Sequence, residues 1–163
     1  MISMLRIDDR LIHGQVALLW SKQLQIQRII VANDTVASNP IQKNALKLAA
    51  PAGIKVAIVR VEQAIRLVND PRSETMKILL LVNNSKDLLE IVNNINEKPK
   101  IDIANVGRIT GDIKSKVKLT ETVYFTNEEI DQIKQALAKN KNMVYQPLPD
   151  DSPVEFASLL KEK

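Results

Sequence analysis

The chain has no cysteine and only one histidine among its 163 residues. The missing cysteines exclude disulfides, thiolate metal sites and cysteine nucleophiles, and they fit a reducing compartment. Aromatic residues make up 3%, so the core must be built from Ile, Leu, Val and Ala. No apolar run approaches the ~20 residues needed to cross a bilayer; the longest, Ile78 to Val82, is strand-sized. The N-terminus lacks the charged and apolar regions of a signal peptide. Net charge is small, +4 with a pI near 9.3. The lysines are spread and the aromatics scattered, which is not the clustered basic, stacking surface of a nucleic-acid binder. Such a surface suits an acidic protein partner or the headgroups around a membrane protein. The length and the apolar and charged fractions suit one domain spanning residues 1–163.

The pattern that is present is strand and helix in alternation. Met1 to Ile7 reads as a buried first strand, Asp8 to His13 as the loop leaving it, and Gly14 to Leu24 as a helix with Val16, Leu19 and Trp20 on one face. Arg28 to Ala32 is a second strand ending at Asn33-Asp34. A helix capped by Ser38 or Asn39, with Pro40 at its first position, is expected to bury Ile41, Ala45, Leu48 and Ala49. Ile54 to Val61 alternates as a third strand, and Glu62 to Val68 follows as a helix. Lys77 to Val82 is the clearest central strand, with Ser85 expected to cap the helix Lys86 to Ile95. Asp102 to Val106 is a fifth strand running into Gly107 to Gly111. Thr120 to Phe125 is a sixth, followed by a helix from Glu128 to Lys139 capped by Thr126 or Asn127. Asn142 to Leu148 is a last strand before a helix opened by Ser152-Pro153 and ending at Lys161. The repetition predicts an α/β fold, an open, mainly parallel doubly wound sheet of about seven strands with helices on both faces. In such folds ligands bind outside the carboxyl ends of the strands. The loops holding His13, Asn33-Asp34, Asn83-Asn84 and Gly107-Arg108 all leave that edge.

The residues around the histidine point to phosphoryl chemistry. A neutral imidazole nitrogen accepts a phosphoryl group, and nearby positive charge stabilises the dianionic product. Arg10 lies three residues before His13, and its planar fork is able to hold two phosphoryl oxygens. Backbone N–H groups at the start of the helix, around Gly14 and Gln15, form an anion cradle. Asp8 or Asp9 suits orientation of the imidazole or anchoring of an arginine. Arg6 is a second phosphoryl-binding candidate. Each feature also has a plainer use: a lone histidine is often structural, Asp-Asp-Arg is often a solvated turn, and Trp20 suits the core. Gly107 to Gly111 matches no dinucleotide or Walker pattern.

Arg6-Ile-Asp-Asp-Arg-Leu-Ile-His-Gly-Gln-Val16 closely resembles the N-terminal signature of the IIB component of mannose-family sugar phosphotransferase systems, the mannose–fructose–sorbose group. The likeness continues in Arg28 to Asp34, in Lys47 to Gly53 and in Asn105-Val-Gly107. It implies a cytoplasmic, peripherally membrane-associated IIB domain on a parallel α/β fold. By this resemblance His13 takes a phosphoryl group from a phosphohistidine of a IIA partner and donates it to a sugar entering through a IIC–IID membrane pair. Arg10 matches the arginine that contacts the phosphoryl group, and Asp8 an acidic residue of the same loop. Family members commonly follow Asn-Val-Gly with a second glycine, where this chain has Arg108-Ile109. No metal, cofactor or nucleic acid is expected. The alternative is a non-catalytic, anion-binding regulatory module using the same crevice.

Overall fold

A computed structural model describes residues 1–109 and 111–161. Its main sheet has seven strands, in the order β3-β2-β4-β1-β5-β8-β9. These are β1 (Ile2–Asp8), β2 (Arg28–Ala32), β3 (Lys55–Val59), β4 (Ile78–Val82), β5 (Ile101–Asn105), β8 (Met143–Tyr145) and β9 (Val154–Glu155). All pairings are parallel except that of β8 with β9. Strand β4 is buried at every residue, as an unbroken Ile-Leu-Leu-Leu-Val run must be when helices cover both faces.

Two apolar clusters lie on the two faces. One gathers Met4, Leu11, Ile12, Ala17, Trp20, Ile29, Val31, Leu79 and Leu81 beneath helix α1 (Gly14–Leu24). The other gathers Leu5, Ile7, Leu80, Val82, Ile101 and Ile103 beneath α4 (Val61–Asn69), α5 (Ser85–Asn94) and α6 (Asn127–Lys139). Helix α1 leaves β1 toward the first face and α5 leaves neighbouring β4 toward the second. The carboxyl ends of β1 and β4 therefore flank a topological switch point.

Several expectations change in the structure. The run Thr120 to Phe125 is not one strand. It breaks at Glu121-Thr122 into a separate two-stranded hairpin of β6 (Val117–Thr120) and β7 (Val123–Phe125), tied to the residue after β5 by a bridge between Val106 and Val123. A short helix, α2 (Asp34–Ala37), takes the place of part of the loop read after β2, while α3 (Pro40–Ala49) forms where the sequence places it. Asn39 caps α3, but Ile41 and Leu48, expected in its core face, are 82% and 87% exposed. Ala45 is exposed as well; Ala49 packs inward as expected, joined by Leu46. Asn84 rather than Ser85 caps α5. The last strand is shorter than expected because Gln146 and Pro147 bond to Arg6 and Asp102. Residues Val154–Glu155 add an antiparallel edge strand, so α7 (Phe156–Leu160) begins later than Ser152-Pro153. Thr126 forms a reciprocal capping box with Glu129 at α6, the arrangement that satisfies two orphan N–H groups at once.

Candidate functional site

The loop from Asp8 to His13 folds around two anchors, one polar and one apolar. Leu11 and Ile12 are buried in the cluster under α1. To reach it, Leu11 adopts φ +59°, a left-handed conformation that costs a non-glycine residue roughly 1–2 kcal/mol. Its N–H donates to the carbonyl of Asp8 at 2.9 Å, closing a tight turn. With Leu11 and Ile12 turned inward, His13 is left exposed. It is the N-cap residue of α1, and no side chain caps that helix. The His13 carbonyl accepts the Ala17 N–H, so the N–H groups of Gly14, Gln15 and Val16 lie in the turn where no intrahelical partner exists. Gly14 and Gln15 are exposed.

Asp8 organises the arginines. Its side chain is buried and accepts from the backbone N–H of Arg10 at 2.9 Å, and from Nε and Nη2 of the same guanidinium, both at 3.1 Å. This two-pronged bond holds Arg10 flat while leaving its side chain 40% exposed. The Asn105 amide also reaches Asp8, at 3.4 Å. Arg6 and Arg10 are both brought to Asp8, but only Arg10 is at the surface. Arg6 is buried and bonds the Asp102 carboxylate at 2.6 Å. It also donates to the carbonyls of Gln146 and Pro147. Its guanidinium sits 5.6 Å from the Trp20 ring centre, and the Trp20 indole N–H donates to Pro147. The sequence candidate Arg6 is thus a tie between β1, β5 and the segment after β8, committed to interior partners. Burial pushes the Asp102 carboxyl up to about 6, against the pull of Arg6 and of the Gln146 N–H.

Asp9 faces away from Arg10. Its carboxylate accepts the Gly107 N–H at 2.9 Å, and its own N–H donates to the Asn105 carbonyl at 2.8 Å. Burial raises its pKa, with the Gly107 bond opposing. Gly107 has φ +90°, and a Cβ there would meet the Tyr124 carbonyl oxygen at 1.9 Å, so only glycine fits. Lys116 donates to the Gly107 carbonyl at 2.9 Å. Arg108 and Ile109 beyond it are exposed; Thr110 lies outside the described residues. The remaining crevice candidates are occupied by structural duties. Asn33 caps α2 and donates to Asn83, Asp34 accepts the Val61 N–H that opens α4, and Asn84 caps α5. Asn105, the partner of Asp8, and Asp102 were not among the candidate site residues. The signal for Asp102 was a charged residue set between Ile101 and Ile103 in a strand with every other residue apolar or amide.

The crevice His13 shares with Arg6, Leu11, Val16 and Trp20 is about 10 Å³, too small for a sugar. Among the described residues, no group of His, Asp and Glu is placed to hold a metal ion. No helix among them is long and apolar enough to cross a membrane.

The fold and the loop together describe a doubly wound α/β protein that presents an exposed histidine, an arginine and a helix N-terminus at a strand's carboxyl end. Over residues 2–163 the chain matches the family described as the PTS system sorbose subfamily IIB component, and it belongs to that family. It is 39% identical over 162 residues to a probable phosphotransferase enzyme IIB component of Streptococcus pyogenes serotype M6, covering 98% of this chain and 99% of that one. It is 31% identical over 161 residues to the mannose-specific EIIAB component of Escherichia coli K12, covering 99% of this chain but 49% of that protein. The crystal structure of the IIBSor domain of the sorbose permease from Klebsiella pneumoniae is similar with a TM-score of 0.88 and 30% identity, over 100% of this chain and 98% of that one. The chain is therefore a phosphotransferase component of a sugar transport system.

Proposed function

We propose that this chain, as one IIB unit, carries a phosphoryl group on His13 between two partners. A phosphohistidine of a IIA domain is the donor, and a sugar held by a IIC–IID membrane permease is the acceptor. The unit works in the cytoplasm, against the inner face of the membrane, and needs neither cofactor nor metal. The observation that carries this reading is the exposed His13 at an α1 N-terminus that no side chain caps, beside an Arg10 held flat by Asp8.

The chemistry follows from these groups. A neutral His13 nitrogen attacks phosphorus as the donor's P–N bond breaks. The donor ring carries a proton on its other nitrogen and leaves as neutral imidazole. His13 keeps its own N–H and becomes the phosphorylated ring, so no external base is needed. Bonds to Asp8 use Nε and Nη2 of Arg10, which makes Nη1 the group for a phosphoryl oxygen. The N–H groups of Gly14 and Gln15 serve the other oxygens, as oriented donors at a helix N-terminus do. In the second transfer a sugar hydroxyl attacks phosphorus, His13 leaves as neutral imidazole with its N–H, and the hydroxyl proton passes to a base at the sugar site or to water, leaving a sugar phosphate ester. The crevice that His13 helps to line is too small for a sugar, which supports a relay in which the permease binds the sugar.

Radiolabelled phosphate on the IIA partner tests the relay. Label should pass to this chain, and then to sugar when permease membranes are added. His13→Gln should abolish both steps. Anion binding without label on the wild-type chain would favour the regulatory alternative instead.

A further inference from the structure

Helix α3 buries none of its residues. Ile41, Ala45 and Leu48 recur at i, i+4 and i+7, so they share one face, and all three are exposed. Single apolar residues on a surface are ordinary, but an aligned stripe of them marks an interaction site. Lys43 and Lys47 stand on the same helix, and Pro40 to Ala49 contains no acidic residue. The stripe ends beside the phosphorylation loop. Ala49, next to Leu48, places its carbonyl oxygen 3.5 Å from where a Gly14 Cβ would be.

We infer that this face of α3 docks the protein that phosphorylates His13, a globular domain bearing a phosphohistidine. The inference rests on the function proposed above. Transfer from one histidine side chain to another brings two folded surfaces flat against each other around the reacting rings. A specific interface covers ~800 Å² per partner, a disc of radius roughly 16 Å. Centred on His13, a disc of that size reaches the Ala49 end of α3, which adjoins Gly14, and Ile41 lies about 12 Å further up the helix. The apolar stripe supplies a dry flank of such an interface beside His13, with Lys43 and Lys47 at its edge. Their charge complements the dianion that the donor brings. Transfer to a sugar inside a permease makes a smaller demand, because only the protruding His13 loop has to enter.

The test is a double variant, Ile41→Gln with Leu48→Gln, in the full chain. Both positions are exposed, and glutamine keeps good helix propensity, so the fold is expected to stand; circular dichroism checks this. With the phosphorylated donor protein, KM should rise about tenfold or more while kcat holds, the usual scale for loss of interface anchors. With phosphoramidate, a small donor that needs no docking face, the labelling rate should match wild type. Equal rates from the donor protein for variant and wild type overturn the inference. So does equal slowing with both donors, which would place the stripe in the chemistry. Normal loading from the donor protein with slowed discharge to sugar assigns the face to the permease and also overturns it. A wild-type chain that accepts no phosphate from either donor instead contradicts the proposed function itself.

Discussion

Arg6 and Arg10 lie one strand-end apart in sequence, and one carboxylate, Asp8, touches both. Their environments separate their roles. Arg6 sits with its side chain 3% exposed against a fully buried Asp102, whereas Arg10 stands at the surface on a two-pronged bond. For Arg10 the planar fork matters more than the charge. Arg10→Lys should therefore slow loading of His13 by roughly 10- to 100-fold, the scale of one charged hydrogen bond, with a small fall in melting temperature from the lost fork on buried Asp8; rapid-quench labelling and thermal denaturation read the two effects. For the Arg6–Asp102 pair the readout is stability. Asp102→Ala leaves a buried guanidinium and the Gln146 N–H without their acceptor. It should cost about 3–5 kcal/mol in urea denaturation, with the folded fraction still taking label on His13. The sequence displayed all four residues but could not sort them, because charge and spacing look the same for a buried tie and a surface clamp. That distinction comes from the pairing of Arg6 with Asp102 on adjacent strands, a contact 96 residues apart in the chain.

Among the elements, the loops at the carboxyl edge show why local patterns succeed or fail. Strands β1, β2 and β4 and helices α1, α5 and α6 were legible because each has a long apolar period. The β6–β7 hairpin was misread as one strand because Thr120 to Phe125 keeps its alternation through a turn. Ile41 and Leu48 were expected inside because their spacing is that of a core face, and periodicity cannot tell a face that packs on the sheet from one left at the surface. Asn33, Asp34 and Asn84 gathered at the predicted edge, yet helix ends claim their polar atoms. Gly107 is the opposite case, a glycine whose necessity appears only in three dimensions. Its N–H ties the second loop to Asp9, and its Cα lies against the Tyr124 carbonyl. Tyr124 cannot yield easily, since its N–H donates to Val106 at 2.9 Å. Gly107→Ala should lower stability by about 1–3 kcal/mol at least and displace the loop. Thermal denaturation, with amide exchange at Asp9 and Gly107, would register both.

At the scale of the molecule, the architecture suits the carrier role proposed for the His13 loop. The central strand β1 is held between β4 and β5, so the base of the His13 loop is fixed by the core on both faces. The loop then turns on buried Leu11 and Ile12 and lifts the histidine clear. The largest cavity described, about 650 Å³ and lined by Leu137, Met143 and Leu160, lies between α6 and α7 on the face away from α1. A carrier needs this layout, because two partners must reach one atom in turn and neither reaction is enclosed by the carrier. Because the chain has one histidine, the central claim has a direct measurement. Phosphorus NMR of the intact protein after incubation with its phosphorylated IIA partner should show a single phosphoramidate-type resonance. That signal should be lost in acid, stable in base and absent from His13→Gln. A resonance of ester or carboxyl-phosphate type, or any resonance that survives in His13→Gln, would contradict phosphotransfer through His13.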